Sequence, residues 1–124
     1  HPDGCFAYRI EAAGLVLVYA TDVEHGGELD LDLLRLAEGA DLLIHDAQYT
    51  DPEYAGAAGP PRRGWGHSTW REAAAVAWAA DVRRLALFHH DPGRDDEALQ
   101  AIEREAVEVF PGAFAAREGT LELL

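Results

Sequence analysis

The sequence contains no methionine and no lysine, a single cysteine, and only ten basic residues against 23 acidic ones. Each shortage excludes something. The lone Cys5 cannot close an internal disulfide, so nothing calls for an oxidising compartment, and its expected place is as a small buried thiol in a strand. A net charge of −13 with the histidines neutral argues against this chain being the main grip on a polyanion, because phosphate binding needs basic clusters. The only adjacent basic pairs are Arg62-Arg63 and Arg83-Arg84. No apolar run approaches the about 18–20 residues of a membrane span, and no signal-like segment opens the chain. The expected setting is therefore cytoplasmic, with no membrane partner. The all-arginine basic set reads as compositional bias. A chain that lacks methionine and begins His1-Pro2-Asp3-Gly4 is expected to be a processed product or a piece of a longer protein.

What is present suits one domain: 124 residues are enough for a core and too few for two. Residues 5–11 and 15–20 read as strands joined by a hairpin at Ala12-Ala13-Gly14. The second is apolar throughout, as in a strand covered on both faces. After the polar loop TDVEHGGE, residues 30–38 read as a short helix ended by Gly39. Residues 41–46 form the next strand. A Gly/Pro-rich loop from 48 to 68 has the length of a functional or disordered segment. Thr69-Trp70-Arg71-Glu72 has the form of a capping box opening a helix to about Ala80. Residues 85–89 read as a strand, 95–110 as an amphipathic helix, and a weak strand pair is expected around Phe114 and Leu121. Alternating elements with covering helices define an α/β layered domain with a mixed β-sheet.

The strands share one ending. The first is entered through His1, the second runs into Thr21-Asp22, the third into His45-Asp46, and the fourth into His89-His90-Asp91. Ligands gather at the carboxyl ends of strands in α/β sheets. The loop before the capping box adds His67. Adjacent strand residues point to opposite faces, so His89 and His90 cannot share one site without a local twist. Imidazole plus carboxylate from separate strand ends suits zinc, manganese or iron. Each residue also has an ordinary reading: His25 as a solvent-exposed loop residue, His45 as a backbone hydrogen-bonding group, Asp22 as a turn former, and Trp65, Trp70 and Trp78 as packing residues.

Taken in order, HPDGCFAYRIE, YATDVEH, LLIHDAQYTDPEY, GWGHSTW and LALFHHDP resemble the second half of metallo-β-lactamase-fold hydrolases. The likeness is closest to the phosphodiesterase and ribonuclease Z branch. The resemblance implies that His1 and His89 are metal ligands and that Asp22 bridges two metals, with His90 left as a neighbour. It implies that His67, in Gly-His-Ser-Thr, protonates the leaving group and that Asp46 orients it. The family's His-x-His-x-Asp-His signature belongs to the first half of the fold and has no match here.

Residues 1–124 are therefore expected to be the C-terminal half of an αββα sandwich whose N-terminal half is not in this chain. Complete, it would be a hydrolase holding two divalent transition metals, zinc first, with manganese or iron as alternatives. It would cleave a small phosphodiester with metal-activated water. This chain alone is expected to be inactive, to associate with the missing half or with another copy of itself, and not to bind nucleic acid. Two other readings remain: a non-catalytic binding module that has lost its metals, and a metallohydrolase of thioester, lactone or sulfur substrates.

Overall fold

The computed structural model describes residues 4–124. Strands β1 (Tyr8–Ala12) and β2 (Leu15–Ala20) form an antiparallel hairpin. Its two turn residues, Ala13 and Gly14, have φ of 52° and 77°, the paired left-handed geometry that a tight two-residue hairpin requires. The chain then crosses through helix α1 (Leu31–Ala37) to β3 (Leu42–Asp46), through α2 (Asp51–Ala55) and α3 (Trp70–Ala79) to β4 (Arg84–Phe88), and through α4 (Asp96–Val109) to β5 (Ala113–Ala115). The sheet order is β1-β2-β3-β4-β5, with every pair after the hairpin parallel. Parallel neighbours need such crossovers, and covering helices are the usual form.

Capping chemistry sets the helix starts. Asp30 accepts from the backbone N–H groups of Asp32 and Leu33. Thr69 and Glu72 form the reciprocal box read from the sequence, with Thr69 N–H donating to Glu72 at 2.9 Å. Asp95 caps α4 through Ala98 N–H. Each such cap stabilises a helix by about 1 kcal/mol.

The helices pack on one face of the sheet, where Val18, Leu43, Leu85 and Leu87 meet Leu33, Val76 and Ile102. Helix α3 brings Ala73, Ala74 and Ala77 to this interface, and their small side chains let the helix lie close to the strands. The other face is covered much less, and it exposes Tyr8, Ile10 and Phe88.

Three details differ from expectation. The 48–68 segment contains α2, built on a Thr50–Glu53 capping box with Pro52 in its first turn. Leu121 is exposed and lies outside any strand, so β5 has no hairpin partner after it. Cys5 is exposed ahead of β1 rather than buried in a strand. No helix among the described residues is long and apolar enough to cross a membrane.

Candidate metal centre

Parallel register makes the site. Ala20, His45 and Leu87 are neighbours across β2, β3 and β4, and Asp46 pairs with Phe88 one step further on. The carboxyl ends of three strands therefore finish level, and Asp22, Asp46 and His89 emerge from one edge. Asp22 and His89 both turn away in the left-handed region, with φ of 56° and 58°. Non-glycine residues adopt that region at a cost of about 1–2 kcal/mol. Such outliers cluster where a site requires them. The left-handed turn falls at His89, just past the end of β4.

Asp46 is completely buried and organises the cluster. Its Oδ2 accepts Asp22 N–H at 3.0 Å and His67 Nδ1–H at 2.8 Å. Its Oδ1 accepts the backbone N–H groups of Gln48 and Ser68, both at 3.2 Å. A carboxylate only accepts, so this contact puts a proton on His67 Nδ1. His89 Nδ1 also lies 3.3 Å from Oδ2, but it is out of line for a hydrogen bond, so this buried nitrogen has no hydrogen-bond partner among the described residues. His89 Nε2 is 3.9 Å and His67 Nδ1 4.0 Å from Asp22 Oδ1. One donor atom from each of Asp22, Asp46, His67 and His89 falls within 4.8 Å of all the others. Two carboxylates and two imidazoles at that spacing suit a divalent transition metal, and the misaligned His89 nitrogen is the kind of donor a metal would satisfy. His1 lies outside the described residues.

A second layer stands behind Asp46. His25, expected in solvent, is buried, because the turn after it brings Asp30 N–H onto its Nδ1 at 3.1 Å. With Nδ1 accepting, His25 carries its proton on Nε2, which meets His45 Nε2 at 3.2 Å. His45 in turn donates Nδ1–H to the Asp46 carbonyl at 2.7 Å. The neighbours thus fix both rings as neutral tautomers. Burial pushes His45 down to about 4, aided by its neighbour His25 and opposed by the Asp46 carbonyl. Burial also lowers His25, against the pull of Glu72, Asp30 and Asp46.

Burial of this pair is expected to make the fold acid-sensitive. Above the ordinary histidine value of 6.5, His45 is neutral whether folded or unfolded, and its contribution to stability is complete. Between about 6.5 and about 4 the unfolded chain binds a proton that the folded chain refuses, so stability falls with pH. The loss amounts to about 2–3 kcal/mol from this residue. Urea unfolding at pH 7 and pH 4.5 should show it, and His45→Gln should flatten the dependence. An unchanged slope in that variant would assign the acid sensitivity elsewhere.

His90 is partly buried beside the backbone of Leu87 and Ala116, and neither ring nitrogen has a well-aligned hydrogen bond among the described residues. Burial and the nearby Arg94 lower its pKa. Of the tryptophans, Trp70 is buried, while Trp65 and Trp78 are exposed. Trp65 carries the Arg62 guanidinium 4.3 Å above its ring. A cleft of about 360 Å³ is lined by Tyr49, Glu53, Arg62, Asp91 and Arg94 among others, and the Tyr49 ring contacts that of His67 edge-on. Sequence reasoning passed over Glu24 and Ser68. Ser68 Oγ donates to Val23 C=O at 2.6 Å, tying the His67 loop to the Asp22 loop. The donors that reach Glu24 come from residues 54, 64 and 66, a convergence that no local spacing reveals.

The pattern of the Beta-lactamase superfamily domain matches residues 1–90, and the chain belongs to that superfamily. It is 45% identical over 87 residues to ribonuclease Z of Gemmatimonas aurantiaca, covering 70% of this chain and 26% of the relative. It is 44% identical over 107 residues to ribonuclease Z of Salinibacter ruber, covering 85% and 29%. The crystal structure of the metallo-beta-lactamase fold protein YhfI from Bacillus subtilis superposes with a TM-score of 0.70 at 25% identity, over 97% of this chain and 44% of that one. Within the superfamily this is a metallo-β-lactamase-fold protein of the ribonuclease Z-like branch. The chain spans well under a third of the length of those two ribonucleases.

Proposed function

We propose that these residues form the second half of an αββα sandwich in a metal-dependent phosphodiester hydrolase, and that the exposed Tyr8–Ile10–Phe88 face packs against the first half. The observation that carries the reading is the Asp22–Asp46–His67–His89 cluster, with four donor groups within 4.8 Å at the level carboxyl ends of parallel strands. Asp22 and His89 would hold two divalent ions, with His1 and residues of the first half as the further ligands that the family resemblance implies. Bound there, zinc, or manganese or iron in its place, supplies a Lewis acid that makes water a usable nucleophile near neutral pH.

The side chains do the rest. The attacking water gives one proton to solvent, and its oxygen forms a bond to phosphorus as the bond to the leaving oxygen breaks. His67, as imidazolium, gives that oxygen its Nε2 proton. Asp46 keeps Nδ1–H directed at itself, so the ring presents the other nitrogen to the substrate. The relatives named ribonuclease Z widen the substrate from a small phosphodiester to an RNA backbone, which is cut at the same chemical bond. In that case the charge of −13 means that the main grip on RNA lies outside these residues.

Turnover of bis-p-nitrophenyl phosphate, a 3′-extended tRNA and a lactone by the protein that carries this chain tests the reading. Cleavage of either phosphodiester, lost on chelation, is the expected result, and turnover of the lactone alone would overturn it. Native mass spectrometry adds the assembly. A complex about twice the half-domain mass with two metal ions is expected, and metal-free 13.5 kDa chains from the active preparation would contradict the shared site.

A further inference from the structure

His67 sits in a segment with little reason to hold still. Gly56, Gly59, Gly64 and Gly66 all have left-handed φ, and glycine has the most conformational freedom to lose. Glu24 fastens this segment. Its Oε1 accepts Tyr54 Oη–H at 2.5 Å and Gly64 N–H at 2.7 Å, and its Oε2 accepts Gly66 N–H at 2.8 Å. Hydrogen bonds donated to ionised acceptors are roughly twice as strong as neutral ones. On the other side of His67, Ser68 Oγ holds Val23 C=O. The histidine is thus pinned at both neighbours to the strip 23–24, which begins one residue after Asp22. Glu24 itself lies outside the four-residue donor cluster.

We propose that Glu24 is the positioning residue that sets His67 against the departing oxygen, by clamping the Gly64–Gly66 backbone to the Asp22 loop. The assignment rests on the reading of His67 as the proton donor. A proton donor has to stand within about 2.6–3.2 Å of its target, and a misplacement of about 1 Å costs on the order of 100-fold. Glu24→Gln keeps the shape of the side chain, but its amide nitrogen meets one of the three donors and cannot accept from it.

The test compares two leaving groups in the protein that carries this chain. In an RNA dinucleotide the departing ribose hydroxyl needs a proton; in bis-p-nitrophenyl phosphate the departing phenolate does not. Glu24→Gln should slow the dinucleotide about 10–100-fold through kcat and slow the phenyl ester far less, with metal content unchanged. Tyr54→Phe, which removes one of the three bonds, should show the same selectivity at smaller size, and it serves if Glu24→Gln does not fold. Hydrogen exchange at Gly64 and Gly66 should speed up in either variant while β3 and β4 keep their protection.

Equal slowing of both substrates, no slowing of either, or loss of metal would overturn the role of Glu24. His67→Ala is the control for the underlying reading. If it slows both substrates alike, His67 is not the proton donor, and the assignment of Glu24 falls with it. If His67→Ala is selective and Glu24→Gln is not, Glu24 alone is wrong.

Discussion

Asp22→Ala, made in the protein that carries this chain, is expected to lose bound metal and to abolish turnover of bis-p-nitrophenyl phosphate. The two carboxylates of the cluster are differently engaged. Asp46 accepts four N–H groups on its two oxygens and is completely buried, so its lone pairs are largely committed. The Asp22 side chain is 42% exposed, with Oδ1 3.9 Å from His89 Nε2, where it can take an ion shared with that ring. Removing a direct ligand should cost more than the about 10–100-fold typical of an outer partner. The backbone supplies a control. Asp22 has φ of 56°, which Asn tolerates better than Ala. Asp22→Asn should therefore lose metal with little loss of folding stability. His90→Ala should do much less than either, because its ring lies outside the donor cluster. Metal analysis of the purified variants beside their turnover checks this, and equal losses at Asp22 and His90 would mean that the wrong histidine of the pair was assigned.

Much of this site was legible because parallel strands end level. Three apolar runs finishing in ionisable residues need no tertiary information to suggest a shared edge, and the Thr69–Glu72 box marks the start of α3 locally. Composition hid α2. Five helical residues in a Gly/Pro-rich stretch give no periodicity, although Thr50-Asp51-Pro52-Glu53 holds a capping box and a first-turn proline, the local signal that could have found it. His25 was misjudged for a different reason. A histidine before two glycines looks exposed, and the contact that draws its ring inward, to His45, lies twenty residues away. Glu24 is the clearest case of what local pattern omits. Its three donors lie 30, 40 and 42 residues along the chain, and each belongs to a segment whose own sequence says only loop or short helix.

The largest stability effect is expected at Asp46. In Asp46→Ala the backbone N–H groups of Asp22, Gln48 and Ser68 and the Nδ1–H of His67 all lose their acceptor inside a site from which the Asp46 side chain is fully shielded. Leaving a buried polar group unpaired costs about 1–3 kcal/mol, but the four penalties do not simply add, because the loops can relax and admit water. A total of about 3–5 kcal/mol, the usual cost of breaking a buried charged contact, is the expected loss in urea unfolding. That is a large share of the about 5–15 kcal/mol that holds a domain of ordinary size together. Asp46→Asn separates packing from charge. Its one oxygen can still accept, while its amide meets donors on the other side, so it should fall between the wild type and Asp46→Ala. Both variants should also unlock His67, because the 2.8 Å contact that fixes its Nδ1 proton is gone or reversed. If Asp46→Ala unfolds within about 1 kcal/mol of the wild type, a magnitude typical of a single hydrogen bond, then water replaces the carboxylate at little cost. Asp46 would then not be the residue that ties the three strand ends together.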